Sequence, residues 1–466
     1  MLFNSYVFLF GFLPPVLLIW WGLRGKNQRL AFLTVASWVF YAWWDWRFLP
    51  ILLASTTVDY VAALAIARTD SEVRRRLLLV ASLTVNLGIL AYFKYAGFFL
   101  DSLDGIGSAL GLPVGIPSLE VVLPIGISFY TFNSMSYTID VFRRKLEPTT
   151  SLFEYSTFVA LFPHLIAGPI VRFTDIERQL RTPTRVLTSR AASLGIFFLA
   201  CGLVKKLILA DQLSPHVDRL FEHAGDLGLL TSWAAAVGYS LQLYFDFSGY
   251  SDMAIGLAWL LGFTFPQNFN SPFKAQNISD FWRRWHMSLS RWIRDYLFIS
   301  LGGSRLGIRR TTFNLVLTMF LAGLWHGAAW TFVVWGFVHG AFLGGHALLR
   351  AAGLTPRSVA LNRAITFILV AAAFVIFRSP DLGTAGSILS SMIGLGGLDS
   401  VAALRELLPL GFALGLVALL VFVNVAPNTW EVRVVPRIRY GLAVGIAAAI
   451  AVMTIASPHP FIYFQF

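Results

Sequence analysis

An ionisable group inside an apolar segment is costly to keep there, so it marks chemistry by default. His326 is such a group. It sits in LAGLWHGAAWTFVVWGFVHG, flanked by Gly323 and Gly327, with Trp325 and Trp330 beside it. A histidine titrates near neutral pH and suits general-base work on a hydroxyl or thiol acceptor. The 311–349 stretch is short for two full spans, so the Gly-Leu-Trp-His-Gly break reads as a bend near the membrane middle with the imidazole facing a cavity. The competing reading is a histidine hydrogen-bonded between helices. His286 lies 40 residues earlier. It reads either as a second polar group at the inner mouth of the same cavity or as an ordinary interfacial histidine.

Other residues carry weaker signals. His339 and His346 fall one above the other on a helix; without acidic partners they read as a helix–helix contact, not a metal site. In LQLYFDFSGYSDMAIG, Asp246 and Asp252 lie near or within the membrane, and their expected partners are Lys205 and Lys206 at the end of another apolar run. A proton relay, a substrate-positioning pair and a structural ion pair all fit. His164 in FPHLIAGPIVR and Asn277 are not specific in isolation. His216 and His223, with Asp218 and Glu222, read as a solvated outer loop. The last nine residues, Pro-His-Pro-Phe-Ile-Tyr-Phe-Gln-Phe, are largely aromatic, where chain ends are commonly polar and frayed. They read as an aromatic belt anchoring the last helix, or as a tail folded back into a cavity where the Tyr463 hydroxyl serves chemistry.

The elements that position these groups follow from composition. The chain has 466 residues, 57% hydrophobic and 13% charged, against about 25% charged in soluble proteins. Stretches of roughly 20 apolar residues, enough to cross ~30 Å of hydrocarbon, recur from end to end. The fold class is therefore an all-α polytopic integral membrane protein, read as one domain over 1–466. The first apolar segment is followed by Arg24, Lys26 and Arg29, not by a small-residue cleavage site, and reads as a retained span. Pro163, Gly168 and Pro169 interrupt the 150–171 stretch, which predicts a re-entrant segment. The net charge of +12 comes from short basic clusters between apolar segments, which argues for membrane loops and against nucleic acid. With the N-terminus outside, the inner loops hold 29 of the 36 Lys and Arg, while the 101–120 loop holds none. Closing the count takes about 12 crossings, with 150–171 and 250–264 embedded but not crossing, and places the C-terminus outside as well.

Residues 278–301 read ISDFWRRWHMSLSRWIRDYLFISL. Phe281, Trp282, Trp285, Leu289, Trp292, Ile293 and Tyr296 recur at helical spacing between arginines, which predicts one amphipathic helix at the cytoplasmic interface. The single cysteine, Cys201, leaves no intramolecular disulfide and no cysteine-based metal site. There is no Walker loop, so a nucleotide-driven pump is excluded.

Several motifs together resemble one family. LFNSYVFLF, FPHLIAGPIVR, LQLYFDFSGYSDMAIG, FNSPFKAQNISDFWRRWHMSLSRWIRDYLFISLGGSR and GLWHGAAWTFVVWGFVHG span residues 2 to 340. They are similar to the membrane-bound O-acyltransferases, in the branch that holds the membrane proteins of alginate O-acetylation and teichoic acid D-alanylation. The final FIYFQF is typical of the alginate-type members. The resemblance implies a ring of tilted helices around a central tunnel. It implies that His326 and His286 are the family's two histidines, and that Tyr463 is a transient acyl acceptor. It further implies acetyl-CoA as donor substrate, with no permanently bound cofactor and no metal. An outward partner would acylate an exported polysaccharide, and the location would be the bacterial inner membrane. Arg283, Arg284 and Arg294 are then candidates to meet CoA phosphates, although lipid headgroups satisfy them equally well. The competing classes are D-alanyl or other acyl transfer to a cell-wall polymer, and a non-enzymatic transporter or export channel. The latter accounts for spans and intramembrane charges but requires neither the Trp-His-Gly break nor the tyrosine tail.

Overall fold

The computed structural model describes residues 1–112, 115, 117, 119, 121–435, 437–455 and 461–462. Among them every regular element is a helix. The apolar sequence dictates this, because a helix satisfies its own backbone hydrogen bonds where water is absent. Among the described residues five helices are long and apolar enough to cross a membrane, or up to six if the pair Val401–Leu407 and Leu410–Val425, bent by 66°, counts as one span. The five are Trp46–Arg68, Glu72–Ala109, Ser189–Glu222, Trp330–Ala351 and Val359–Arg378.

The chain divides into two compact units, one of residues 1–196 with 254–266 and one of 197–253 with 267–466. The first unit has an aromatic core in which Phe8, Phe12, Phe40 and Phe162 meet with ring centroids 5.4–6.1 Å apart. Arg29 is buried there, its guanidinium 3.9 Å from the Trp20 ring centroid and bonded to the Thr184 carbonyl at 2.7 Å. Asp59, fully buried on one helix, accepts from Asn86 at 2.8 Å and from Ser82 at 2.5 Å on the next. Such polar contacts join helices where the hydrophobic effect cannot. The interrupted 150–171 stretch is broken, as its prolines and glycine predict. It forms Leu152–Ala160 and Phe162–Leu165 with a break at Leu161, and residues 154–171 are all buried.

The second unit begins with a helix that runs through a π turn at Val204–Ala210 into Asp211–Glu222. The 229–253 part of the Leu229–Leu260 helix follows; the sequence suggests two segments here, yet no residue breaks the helix. Next come the short helices Ile278–Trp282 and Met287–Ile293, then Gly307–His326 and Trp330–Ala351. This last pair packs closely through a stripe of glycines: a Cβ on Gly340 would lie 2.7 Å from the Val316 Cα, and one on Gly323 would lie 2.9 Å from the Gly336 Cα. Small residues let helix backbones approach in this way.

One expected element is corrected. Residues 278–301 do not form a single amphipathic helix. Ile278–Trp282, Met287–Ile293 and the π turn Arg294–Phe298 are separate pieces, because His286 adopts the left-handed region at φ 43°. Of the periodic apolar residues, Phe281, Trp285, Leu289, Trp292, Ile293 and Tyr296 are nonetheless buried, and Trp282 is half-buried.

Candidate acyl-transfer site

Both candidate histidines lie in the second unit. His286 is fully buried and occupies the turn between two short helices. A non-glycine residue at positive φ carries strain of order 1–3 kcal/mol that its surroundings must offset. Asn268 does this from both its backbone and its side chain. Its carbonyl accepts the Met287 N–H at 2.8 Å. Its Oδ1 accepts from His286 Nδ1 at 3.0 Å, from the Ser288 N–H at 3.3 Å and from Ser288 Oγ at 2.9 Å. The backbone donor identifies that side-chain atom as the oxygen. Since an amide oxygen only accepts, the proton of neutral His286 is on Nδ1 and the lone pair is on Nε2. Asn268 Nδ2 is itself anchored on Ser251 Oγ at 3.0 Å.

His326 is the last residue of Gly307–His326 and is 5% exposed. The rings of Trp325, Trp335 and Phe377 enclose it, with centroids 5.0, 5.0 and 5.3 Å away. The chain then runs extended through Gly327, where a Cβ would fall inside the Phe332 ring. The predicted bend is therefore present. The surroundings of the two histidines share one wall, the Val359–Arg378 helix: Phe377 faces His326, and Phe374, one turn earlier, lies 5.2 Å from Trp285, the neighbour of His286. Trp335 also lies 4.7 Å from buried His339, whose Nδ1 accepts from Trp282 Nε1 at 3.3 Å. His339 is thus an internal contact.

A cleft of about 550 Å³ opens beside the same elements. Arg283 and Arg350 contribute cationic side chains, His346 contributes an imidazole, and Gln276, Asn277 and Asn362 contribute amides. Asn277 also caps Ile278–Trp282 by accepting the Asp280 N–H at 2.8 Å. Of the candidate donor-binding arginines, only Arg283 lines this cleft. Arg284 folds onto Asp280 at 3.1 Å and the Asn270 carbonyl. Arg294 pairs with Asp295 at 2.7 Å, and that hydrogen bond raises its already high pKa.

The family model for the membrane-bound O-acyltransferases matches residues 136–377. This stretch contains both histidines. The chain is 44% identical over 400 residues to the "Probable alginate O-acetylase AlgI" of Azotobacter vinelandii, covering 85% of this chain and 79% of that protein. It is 37% identical over 433 residues to the "Peptidoglycan O-acetyltransferase" of Helicobacter pylori, covering 86% of this chain and 81% of that protein. A more distant match, 28% over 237 residues, covers 49% of this chain and 60% of the "Teichoic acid D-alanyltransferase" of Bacillus subtilis. The chain belongs to the membrane-bound O-acyltransferase family. It is a multi-pass membrane acyltransferase, and the non-enzymatic transporter reading falls away.

Within this acyltransferase the lysines and aspartates pair as their burial demands. Lys205 bonds Asp252 at 2.6 Å and Thr429 at 2.7 Å, at the wall of a largely apolar cavity of about 300 Å³. Lys206 bonds Asp246 at 2.6 Å and Asp211 at 2.7 Å. His216 stacks on Phe412 and Asp218 pairs with Arg378. Among the described residues no three His, Cys, Asp or Glu side chains converge as a metal would need. Tyr463 lies outside the described residues. The two residues before it, Phe461 and Ile462, are buried at 1% and 7% exposure in the second unit.

Sequence reasoning missed Asn268. Its signal was faint: one of three amides, with Gln267 and Asn270, in the TFPQNFNSP connector, where short polar side chains commonly cap and brace turns. It also missed His346 and Arg350 as neighbours of Arg283, since they come from a different helix.

Proposed function

We propose that this acyltransferase takes an acetyl group from cytoplasmic acetyl-CoA, passes it through the membrane and, with an outward partner protein, delivers it to hydroxyls of an exported alginate-like polysaccharide. The observation that carries this reading is the 44% identity to an alginate O-acetylase over 85% of the chain. D-alanyl transfer is the second reading; its relatives match about half of the chain.

In this reading the donor's phosphates stay in the cleft at Arg283 and Arg350, and only the small neutral acetyl group enters hydrocarbon, where phosphates would be prohibitively costly. The Tyr463 hydroxyl is the first acceptor. Its oxygen attacks the thioester carbonyl, the C–S bond breaks, and CoA leaves as the thiol carrying the phenolic proton. His286, with its lone pair on Nε2, supports this donor step. His326 then activates the next acceptor by taking its hydroxyl proton as the tyrosyl ester is attacked, and the phenol regains a proton. The framework we propose is a single domain over 1–466, a ring of about 12 crossings around a tunnel, each crossing ~30 Å of hydrocarbon. It sits in the bacterial inner membrane with both termini outside.

The test uses the purified full chain with isotopically labelled acetyl-CoA and mass spectrometry of the C-terminal peptide. Label on the Tyr463 peptide, absent in Tyr463→Phe, is expected. Full polymer acetylation by Tyr463→Phe would reduce the tail to an anchor.

A further inference from the structure

Asp246 does more than neutralise a lysine. It is 1% exposed, and its Oδ1 holds Lys206 while its Oδ2 accepts the backbone N–H of Ile462 at 3.1 Å, 216 residues away in sequence. Lys206 also pairs with Asp211, and Asp246 engages it through Oδ1 alone, which leaves Oδ2 to the tail. On the same helix, Phe247 and Tyr250 receive the Phe461 ring at 5.5 and 4.7 Å, the latter stacked at 27°. The other side of the Phe247 contact is His286, met edge-on at 4.6 Å and 89°. One helix therefore grips the backbone of residue 462 and the ring of residue 461 next to a candidate catalytic histidine.

We infer that Asp246, braced by Lys206, forms with Phe247 and Tyr250 a dock that sets the register of Phe461 and Ile462 beside His286. The inference rests on the reading of Tyr463 as acyl acceptor and adds the residues that position it. The division of labour is physical. A hydrogen bond from a backbone N–H to a fixed carboxylate defines position along the tail whatever the side chain, and it is charge-assisted and therefore strong. The aromatic slot selects which residue precedes it. Shifting the segment by one residue would place Ile462 in the aromatic slot. Asp246, Phe247 and Tyr250 are positioning residues; none of them exchanges a proton or an acyl group with the donor.

The experiment uses full-length protein with Phe461→Ala, which leaves the buried ion pair intact, alongside Asp246→Ala. Phe461→Tyr is the conservative control. Two quantities are read: the rate at which carboxypeptidase trims the tail, and the split between kcat and the KM for acetyl-CoA. We expect trimming of Phe461→Ala to be at least about tenfold faster than wild type and its kcat to fall by about a hundredfold, as misplacing a reacting group by about 1 Å does. Its KM for acetyl-CoA should stay put, and Phe461→Tyr should restore both readouts. Unchanged trimming in Phe461→Ala overturns the dock. Faster trimming with unchanged kcat overturns its positioning role. Trimming does not depend on acyl chemistry, so a failure of the tyrosine reading is seen separately: Tyr463→Phe at full turnover, with a protected tail, removes the relay and leaves the dock standing.

Discussion

His286 and His326 are both buried imidazoles beside a break in helix, but their settings differ in kind. His286 sits in a strained turn held by hydrogen bonds that converge on one side chain, Asn268. His326 sits at the end of a tightly packed helix pair, enclosed by Trp325, Trp335 and Phe377. The first arrangement fixes a tautomer; the second fixes a shape. Damage near His286 should therefore show as altered chemistry in a folded protein. Damage to the packing that encloses His326, as distinct from loss of the imidazole itself, should show first as lowered stability.

The largest effect that separates the two is expected at His286 itself. Asparagine tolerates the left-handed region better than most residues, so His286→Asn keeps the turn and removes the base. We expect acetyl transfer to fall by about a hundredfold, within the range for loss of a general base, with unchanged thermal stability in detergent. A misfolded His286→Asn would mean that the imidazole is chiefly structural. Asn268→Ala comes next. It strands the donors that now meet Oδ1, each worth about 1–3 kcal/mol when left unsatisfied, and frees the imidazole to change tautomer. Turnover should drop by roughly thirtyfold, some 2 kcal/mol of barrier, and Asn268→Asp should recover part of it. Equal activity in Asn268→Ala would show that the tautomer is set elsewhere.

On the packed side, Gly327→Ala forces a methyl into the Phe332 ring. Overpacking of this kind costs about 1–3 kcal/mol, so the unfolding temperature should fall while the activity of the still-folded fraction persists. A stable variant with lost activity would place Gly327 in the chemistry instead. The smallest effect is expected at the cleft. Arg283→Ala should raise the KM for acetyl-CoA about fivefold, roughly 1 kcal/mol, and leave kcat alone. Arg294→Ala, removing a side chain that is 60% exposed and paired with Asp295, should do neither. Equal KM changes in the two variants would remove the cleft from the donor's path.

Much of this was legible in the sequence, for reasons that can be named. His326 stood out because an apolar context makes an ionisable group expensive, whereas His286, among arginines, was singled out by the family resemblance. The Lys205–Asp252 and Lys206–Asp246 pairs could be expected because a buried charge requires a partner. Pro163 and Gly168 announced the broken 150–171 segment. The break at His286 was hidden because the aromatic period from Phe281 to Tyr296 continues across it, and burial alone satisfies that period. Asn268 was hidden because its work is done by a long-range turn contact, which no local pattern encodes. The cationic cleft was hidden because Arg283 and Arg350 are far apart in the chain and meet only in the fold.

The assignment of acyl transfer to the second unit is tested most directly by His326→Ala, made in the intact chain in cells that export the polymer. Membrane insertion is checked by protein level, and O-acetyl content of the polymer is measured. A fully inserted variant with O-acetylation reduced at least about a hundredfold is the expected result. Wild-type acetylation from an inserted His326→Ala protein would contradict it.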